Sequence, residues 1–183
     1  MDSHQQKMIA AALALGIAVR DLSSQWRRDA VVFTYRGQEE LVLDGRIYAS
    51  LGHHADLICD DKHVSKLLFA EIGIAVAQGI VFEVAASEED AEPNEIEAQI
   101  GSFFQAGTAY VCKPLYGTDG DAVGMHLTEM LYIEDHVNAH REMYATWLLE
   151  VLIPGEDMRI QAIGGELVAA VVRQPAFVIG DGK

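Results

Sequence analysis

Lys113 closes a short apolar run and stands directly before a loop carrying Gly117, Gly120 and Gly124, in the stretch YVCKPLYGTDGDAVGM over residues 110–125. Lysine supplies a compact positive charge on a flexible stem. Glycines let the backbone approach a ligand closely and take positive φ without a Cβ clash. The combination suits a polyphosphate, held by the lysine and by successive backbone N–H groups. It is not a Walker loop, because the lysine precedes the glycines. Three further sets of residues carry chemistry. Lys62 opens a helix behind an acidic cap. Glu150 is the lone carboxylate in WLLEVLI. Asp157 and Arg159 follow Pro154-Gly155, and Arg173 ends the next apolar run. A buried, unpaired carboxylate costs several kcal/mol, so Glu150 needs a partner or an edge position facing water. Plain readings stand beside each: a turn for the glycines, a solvated first-turn residue for Lys62, a surface ion pair for Asp157 with Arg159, and a strand-end residue for Arg173.

Elements must position these groups. Met8, Ile9, Ala12, Leu13 and Leu15 predict a helix over residues 3–17, stopped at Gly16. A short strand follows at 17–19, then a hairpin across 29–48 around Arg36-Gly37. Asp60 or Asp61 caps a second helix, in which Val64, Leu67, Leu68 and Ile72 recur at helical spacing before Gly73. A strand is expected at 80–82. The acidic stretch 87–97 opens the next helix, with Ile96, Ile100, Phe103 and Phe104 as its apolar stripe. Beyond the glycine loop come a strand from 125, a helix over 132–145 and a strand over 147–153. Residues 158–163 and 166–173 read as a hairpin turned by Gly164-Gly165.

Half of the 183 residues are apolar and 22% are charged, the balance of a globular chain. A formal charge of −15 argues against nucleic acid or an anionic membrane as the main partner, while a nucleotide needs only local cations. Cys59 and Cys112 are expected as two buried, reduced thiols. No metal array is expected of the seven histidines, and His53 and His54 read as surface or loop residues. No stretch approaches the ~20 apolar residues of a membrane span. The amino end lacks the features of a signal peptide, so a cytoplasmic location is expected.

Taken in order, DKHVSKLLFAEIGIAV, KPLYGTDG, EVLIPGEDMRI and VRQPAFVIGDGK resemble the ATP-grasp superfamily. The likeness is to its amino-acid ligase branch, the ATP-grasp part of bifunctional glutathione synthetases and of cyanophycin synthetases. The resemblance implies an α+β fold: a small N-terminal α/β subdomain (1–59), a lid subdomain (60–149) and the start of an incomplete C-terminal subdomain (150–183), with a nucleotide cleft between the latter two. By position it assigns ATP phosphates to Lys62 and Lys113, and the closing lid to Gly117, Thr118 and Gly120. Adenine falls to Glu150, Val151 and Ile153, ribose to Asp157, and the transferred phosphoryl group and acyl phosphate to Arg159 and Arg173. The implied reaction is ATP-dependent ligation of a carboxylate to an amine through an acyl phosphate, with amino-acid or peptide substrates. Two departures stand out. Asp121 and Ala122 follow Gly120, where related loops run KPLxGxxGxG. The chain also stops at GDGK, before the strands that carry the family's magnesium ligands, so Mg2+ would belong to a full-length parent. The expected function is therefore the ATP-binding portion of a ligase, inert by itself. The alternative is a degenerate ATP-grasp module that binds nucleotide or a partner without catalysis, with open sheet edges that favour self-association.

Overall fold

The computed structural model describes residues 3–174 and divides into two compact units, Met1–Ile74 and Ala75–Lys183. The division falls after the second predicted helix rather than at residue 59. Residue 150, the other expected boundary, lies inside a strand.

The first unit begins with α1 (Ser3–Ala14), β1 (Ala18–Asp21) and a single helical turn, α2 (Ser23–Trp26). The strands β2 (Ala30–Tyr35), β3 (Gln38–Leu43) and β4 (Ile47–Tyr48) follow, and β1 to β4 form one antiparallel sheet in sequence order. Arg36 and Gly37 join β2 to β3 with φ of 49° and 80°, the left-handed pair that a two-residue hairpin requires. Ala30, Val31 and Val32 are consecutive and all buried, so β2 is covered on both faces. Gln5, fully buried in α1, donates to the Ser23 hydroxyl at 3.0 Å, and that hydroxyl donates to the Ala30 carbonyl at 3.2 Å. This relay fastens α1 to the start of β2. The unit ends in α3 (His53–Asp60) and α4 (Lys62–Glu71). The Asp61 carboxylate caps α4 by accepting from the His63 and Val64 N–H groups, each at 2.9 Å.

The second unit holds the strands β5 (Gly79–Glu83), β6 (Tyr110–Pro114), β7 (Gly124–Leu127) and β8 (Thr146–Val151) in the spatial order β5-β8-β6-β7, antiparallel throughout. The helices α5 (Glu95–Ile100) and α6 (Met130–Asn138) bring Ile96, Ile100, Ile133 and Val137 onto one face of that sheet. There they pack with Phe82, Tyr110, Cys112, Trp147 and Leu149. The hairpin β9 (Asp157–Ile163) and β10 (Glu166–Arg173) turns at Gly164-Gly165, as expected.

Four expectations need correction. Helix α3 was not anticipated. Cys59 lies on it and is exposed, whereas Cys112 is buried. Residues 87–94 are irregular. Glu92 precedes Pro93, which disfavours helical geometry, and Ser87 exchanges hydrogen bonds with the Asp90 carboxylate and N–H. The helix expected over 132–145 starts two residues earlier and ends at Asn138. Beyond it Arg141 turns inward: its guanidinium donates to the Ala85 and Ser87 carbonyls at 3.3 and 3.2 Å and pairs with Glu95 at 2.8 Å.

Candidate nucleotide site

Strand β8 alternates. Trp147 and Leu149 point into the helix-covered core, so Leu148 and Glu150 point to the opposite face of the sheet. On β6, Tyr110 and Cys112 point into the same core, so Val111 and Lys113 share the second face with Glu150. Glu150 stands opposite Val111 on one side and Gly79 on the other; Leu148 stands opposite Lys113 and Val81. The glycine leaves lateral room beside the carboxylate. Lys113 and Glu150, diagonal neighbours across the strand pair, form an ion pair. Their side chains are 24% and 9% exposed, so the lysine end faces outward and the carboxylate lies deeper. Glu150 is thus no edge residue. It sits on a central strand among apolar neighbours, and the lysine offsets part of the cost of burying its charge.

Directly after Lys113 and Pro114 the chain enters the glycine loop. Gly117, Asp119, Gly120 and Ala122 all have positive φ, at 133°, 61°, 82° and 49°. Ala122 therefore takes the left-handed backbone that the family pattern gives to glycine, with the strain that a Cβ brings there. The loop is fixed from outside. The Tyr144 hydroxyl donates to the Asp121 carboxylate, which raises the Tyr144 pKa, chiefly through that hydrogen bond. His136 Nε2 donates to the Ala122 carbonyl at 3.0 Å. A Cβ on Gly124 would meet the His136 ring at 3.0 Å, so the last glycine makes room for that imidazole. The ring of His136 stands edge-on to Trp147 at 5.6 Å and lies 4.9 Å from His140. His136 titrates below its ordinary value, mainly because burial disfavours the imidazolium.

The remaining nominated residues fall elsewhere. Asp157, Arg159 and Arg173 share one face of the β9–β10 hairpin, with Arg173 opposite Asp157 in register and paired to it at 3.2 Å. Both partners are more than half exposed, so the pair contributes at most about 1 kcal/mol. Val151 packs its side chain on the core, and its N–H donates to the Gln78 carbonyl at 2.9 Å. Ile153 lies exposed beyond the strand. Lys62 occupies the first position of α4, in the other unit.

The residues missed in the sequence are Tyr144, His136 and His140. The last two stand at H-x₃-H spacing, a signal that was available in HVNAH. Their geometry is not that of a metal pair, since His136 Nε2 serves the Ala122 carbonyl and His140 Nδ1 donates to the His136 carbonyl at 2.8 Å. Among the described residues no group of three or more His, Cys, Asp or Glu side chains is placed to hold a metal ion.

This α+β architecture is of the ATP-grasp type. The chain matches, over 96% of its length, the crystal structure of a bifunctional glutathione synthetase from Pasteurella multocida, with a TM-score of 0.55 and 20% identity; it covers 22% of that chain. In sequence it resembles ATP-grasp amino-acid ligases. A cyanophycin synthetase of Trichormus variabilis is 30% identical over 128 residues, 70% of this chain and 13% of the relative. A glutathione biosynthesis bifunctional protein of Enterococcus faecalis is 27% identical over 147 residues, 79% of this chain and 18% of the relative. No family model matches the chain. It spans between about an eighth and a quarter of the length of these relatives.

Proposed function

We propose that the chain is the ATP-binding portion of an ATP-dependent carboxylate–amine ligase with amino-acid or peptide substrates, and that it binds ATP without turning it over unaided. The observation that carries the reading is the Lys113–Glu150 pair, set on the sheet face away from the core and continuous with a glycine loop rich in positive φ. A bound nucleotide can replace both halves of that pair. Phosphate oxygens draw the lysine outward, and an exocyclic amino group donates to the carboxylate left behind. Val111, Val81 and Leu148 supply apolar surface for the base on the same face.

In the ligase reaction a substrate carboxylate oxygen attacks the γ-phosphorus, ADP departs with the bonding electrons, and an amine then displaces phosphate from the acyl phosphate. Lys113, Arg159 and Arg173 are cations suited to the phosphoryl charge, and Lys62 is assigned to ATP phosphates by its position in the sequence. Asp157 is assigned to ribose, and Gly117, Thr118 and Gly120 to the loop over the phosphates. Lys113 and Arg173 carry carboxylate partners, Glu150 and Asp157, which a phosphate would have to displace. Magnesium would accompany the nucleotide, and no ligand for it is assigned here.

Calorimetric titration with ATP and GTP, in magnesium, tests the reading. ATP is expected to bind at least about tenfold more tightly than GTP, a gap of about 1.4 kcal/mol, and Glu150→Gln is expected to narrow that preference. Phosphate release with amino acids should stay at background. Absence of ATP binding overturns the reading, and robust ligation overturns its second clause. A module that binds a partner without catalysis is a second reading. It draws support from Met158, Ile160, Leu167 and Val171, apolar and exposed on β9 and β10. Concentration-dependent sedimentation would report self-association.

A further inference from the structure

We propose that Tyr144 and His136 are positioning residues for the phosphate loop, anchoring it at two consecutive positions, the second of which departs from the glycine pattern. The inference rests on the nucleotide-binding reading above. Asp121 and Ala122 occupy those positions. One introduces a negative charge, the other a Cβ at φ 49°. Each residue meets its own counterpart. The Asp121 carboxylate accepts the Tyr144 hydroxyl, which directs the charge toward the segment after α6. The Ala122 carbonyl accepts His136 Nε2–H at 3.0 Å, which holds the left-handed residue in place.

Both anchors rest on one buried support. Trp147 is fully buried; Tyr144 and His136 each stand edge-on to its indole, with ring centroids at 6.0 and 5.6 Å. The indole N–H donates to the Tyr144 carbonyl at 2.9 Å. Trp147 lies on β8, three residues before Glu150, and opposite Pro114 in register. The glycine loop and the Lys113–Glu150 pair are thus referred to the same strand. A loop held this way presents its N–H groups to a polyphosphate with little ordering left to occur on binding, the advantage of preorganisation.

The test uses the whole chain with Tyr144→Phe, Asp121→Asn, the double variant, His136→Ala and His136→Gln. Gln can place an amide N–H where Nε2–H stands. Hydrogen exchange of residues 118–124 without nucleotide reads the anchor, and calorimetry with ATP reads its consequence. Tyr144→Phe and His136→Ala should each speed loop exchange about tenfold, the worth of a charge-assisted or buried hydrogen bond. Exchange elsewhere in the sheet should hardly change. The double variant should match Tyr144→Phe alone, and His136→Gln should recover most of the protection. ATP affinity should fall with loop protection and return with it. Unchanged loop exchange, or additive effects in the double variant, overturns the inference. So does ATP binding that is unaffected while the loop loosens, and that result leaves the function reading intact. Loss of loop protection in a chain that never binds ATP overturns the function reading and, with it, the positioning role.

Discussion

Lys113 and Glu150 show how a charge pair on a central strand gives one residue type two duties. Each stabilises the other, and in the proposed function each is also a group that a nucleotide would use. Lys113→Met should therefore destabilise the second unit by about 3 kcal/mol, because the buried Glu150 charge loses its ion pair. Lys113→Met with Glu150→Leu should recover most of that loss while abolishing ATP binding, as chemical denaturation and calorimetry together would establish. The two cysteines differ in the same residue-level way. Burial pushes the Cys112 thiol up to about 12, whereas Cys59 is exposed. A thiol reagent at pH 8 should modify Cys59 promptly and Cys112 only on unfolding, since the thiolate is the reactive form. Glu150 was legible as special from sequence, because a lone carboxylate in WLLEVLI demands a partner. The burial of Cys59 was misjudged because its helix was not anticipated.

At the scale of elements, period and punctuation located the strands well. The apolar runs of β6 and β8 and the Gly-Gly turn before β10 are local signals that local geometry obeys. Residues 87–94 and 139–145 escaped because their conformation is set from a distance. Arg141 reaches back to carbonyls 54 and 56 residues earlier, and no pattern of residue types announces such a bond. The loop anchors are similar: Tyr144 meets Asp121 across 23 positions, and His136 meets a backbone carbonyl, which every residue offers. The anchor on α6 has a pH signature. The His136 pKa lies below its ordinary 6.5 in the folded chain, so the unfolded chain binds the proton more readily. Its contribution to stability is complete above pH 6.5 and declines as pH falls through 6.5 toward the folded value. The groups around it are the His140 ring, the Trp147 indole, the Ala122 carbonyl and, next along the loop, Asp121 with Tyr144. Melting temperatures between pH 7.5 and 5 should fall more steeply for the native sequence than for His136→Gln. Equal slopes would remove His136 from the account.

The whole molecule comprises two units, each with its own sheet and core, meeting at Ile74 and Ala75. A domain with its own core can fold alone. Residues 75–183 produced separately should show a cooperative melt and protected amides in β5, β6 and β8; a noncooperative profile would refute their independence. The sequence expectation of subdomain breaks at 59 and 149 follows family landmarks, whereas the two compact units follow which strands pair. Glu150 pairs on both sides within one sheet.

The alternation of β8 carries a consequence for mutation. Trp147 and Leu149 build the core, while Leu148 and Glu150 lie on the face that carries the proposed site, so adjacent codons serve opposite sides of one sheet. Because a strand's side chains alternate with a period of two, deleting one residue within Thr146–Val151 would exchange the two sets. The carboxylate would turn into the helix layer and an indole or leucine would take its place beside Lys113. Point substitutions in this strand can be graded and compensated. A single-codon indel would undo packing and recognition together.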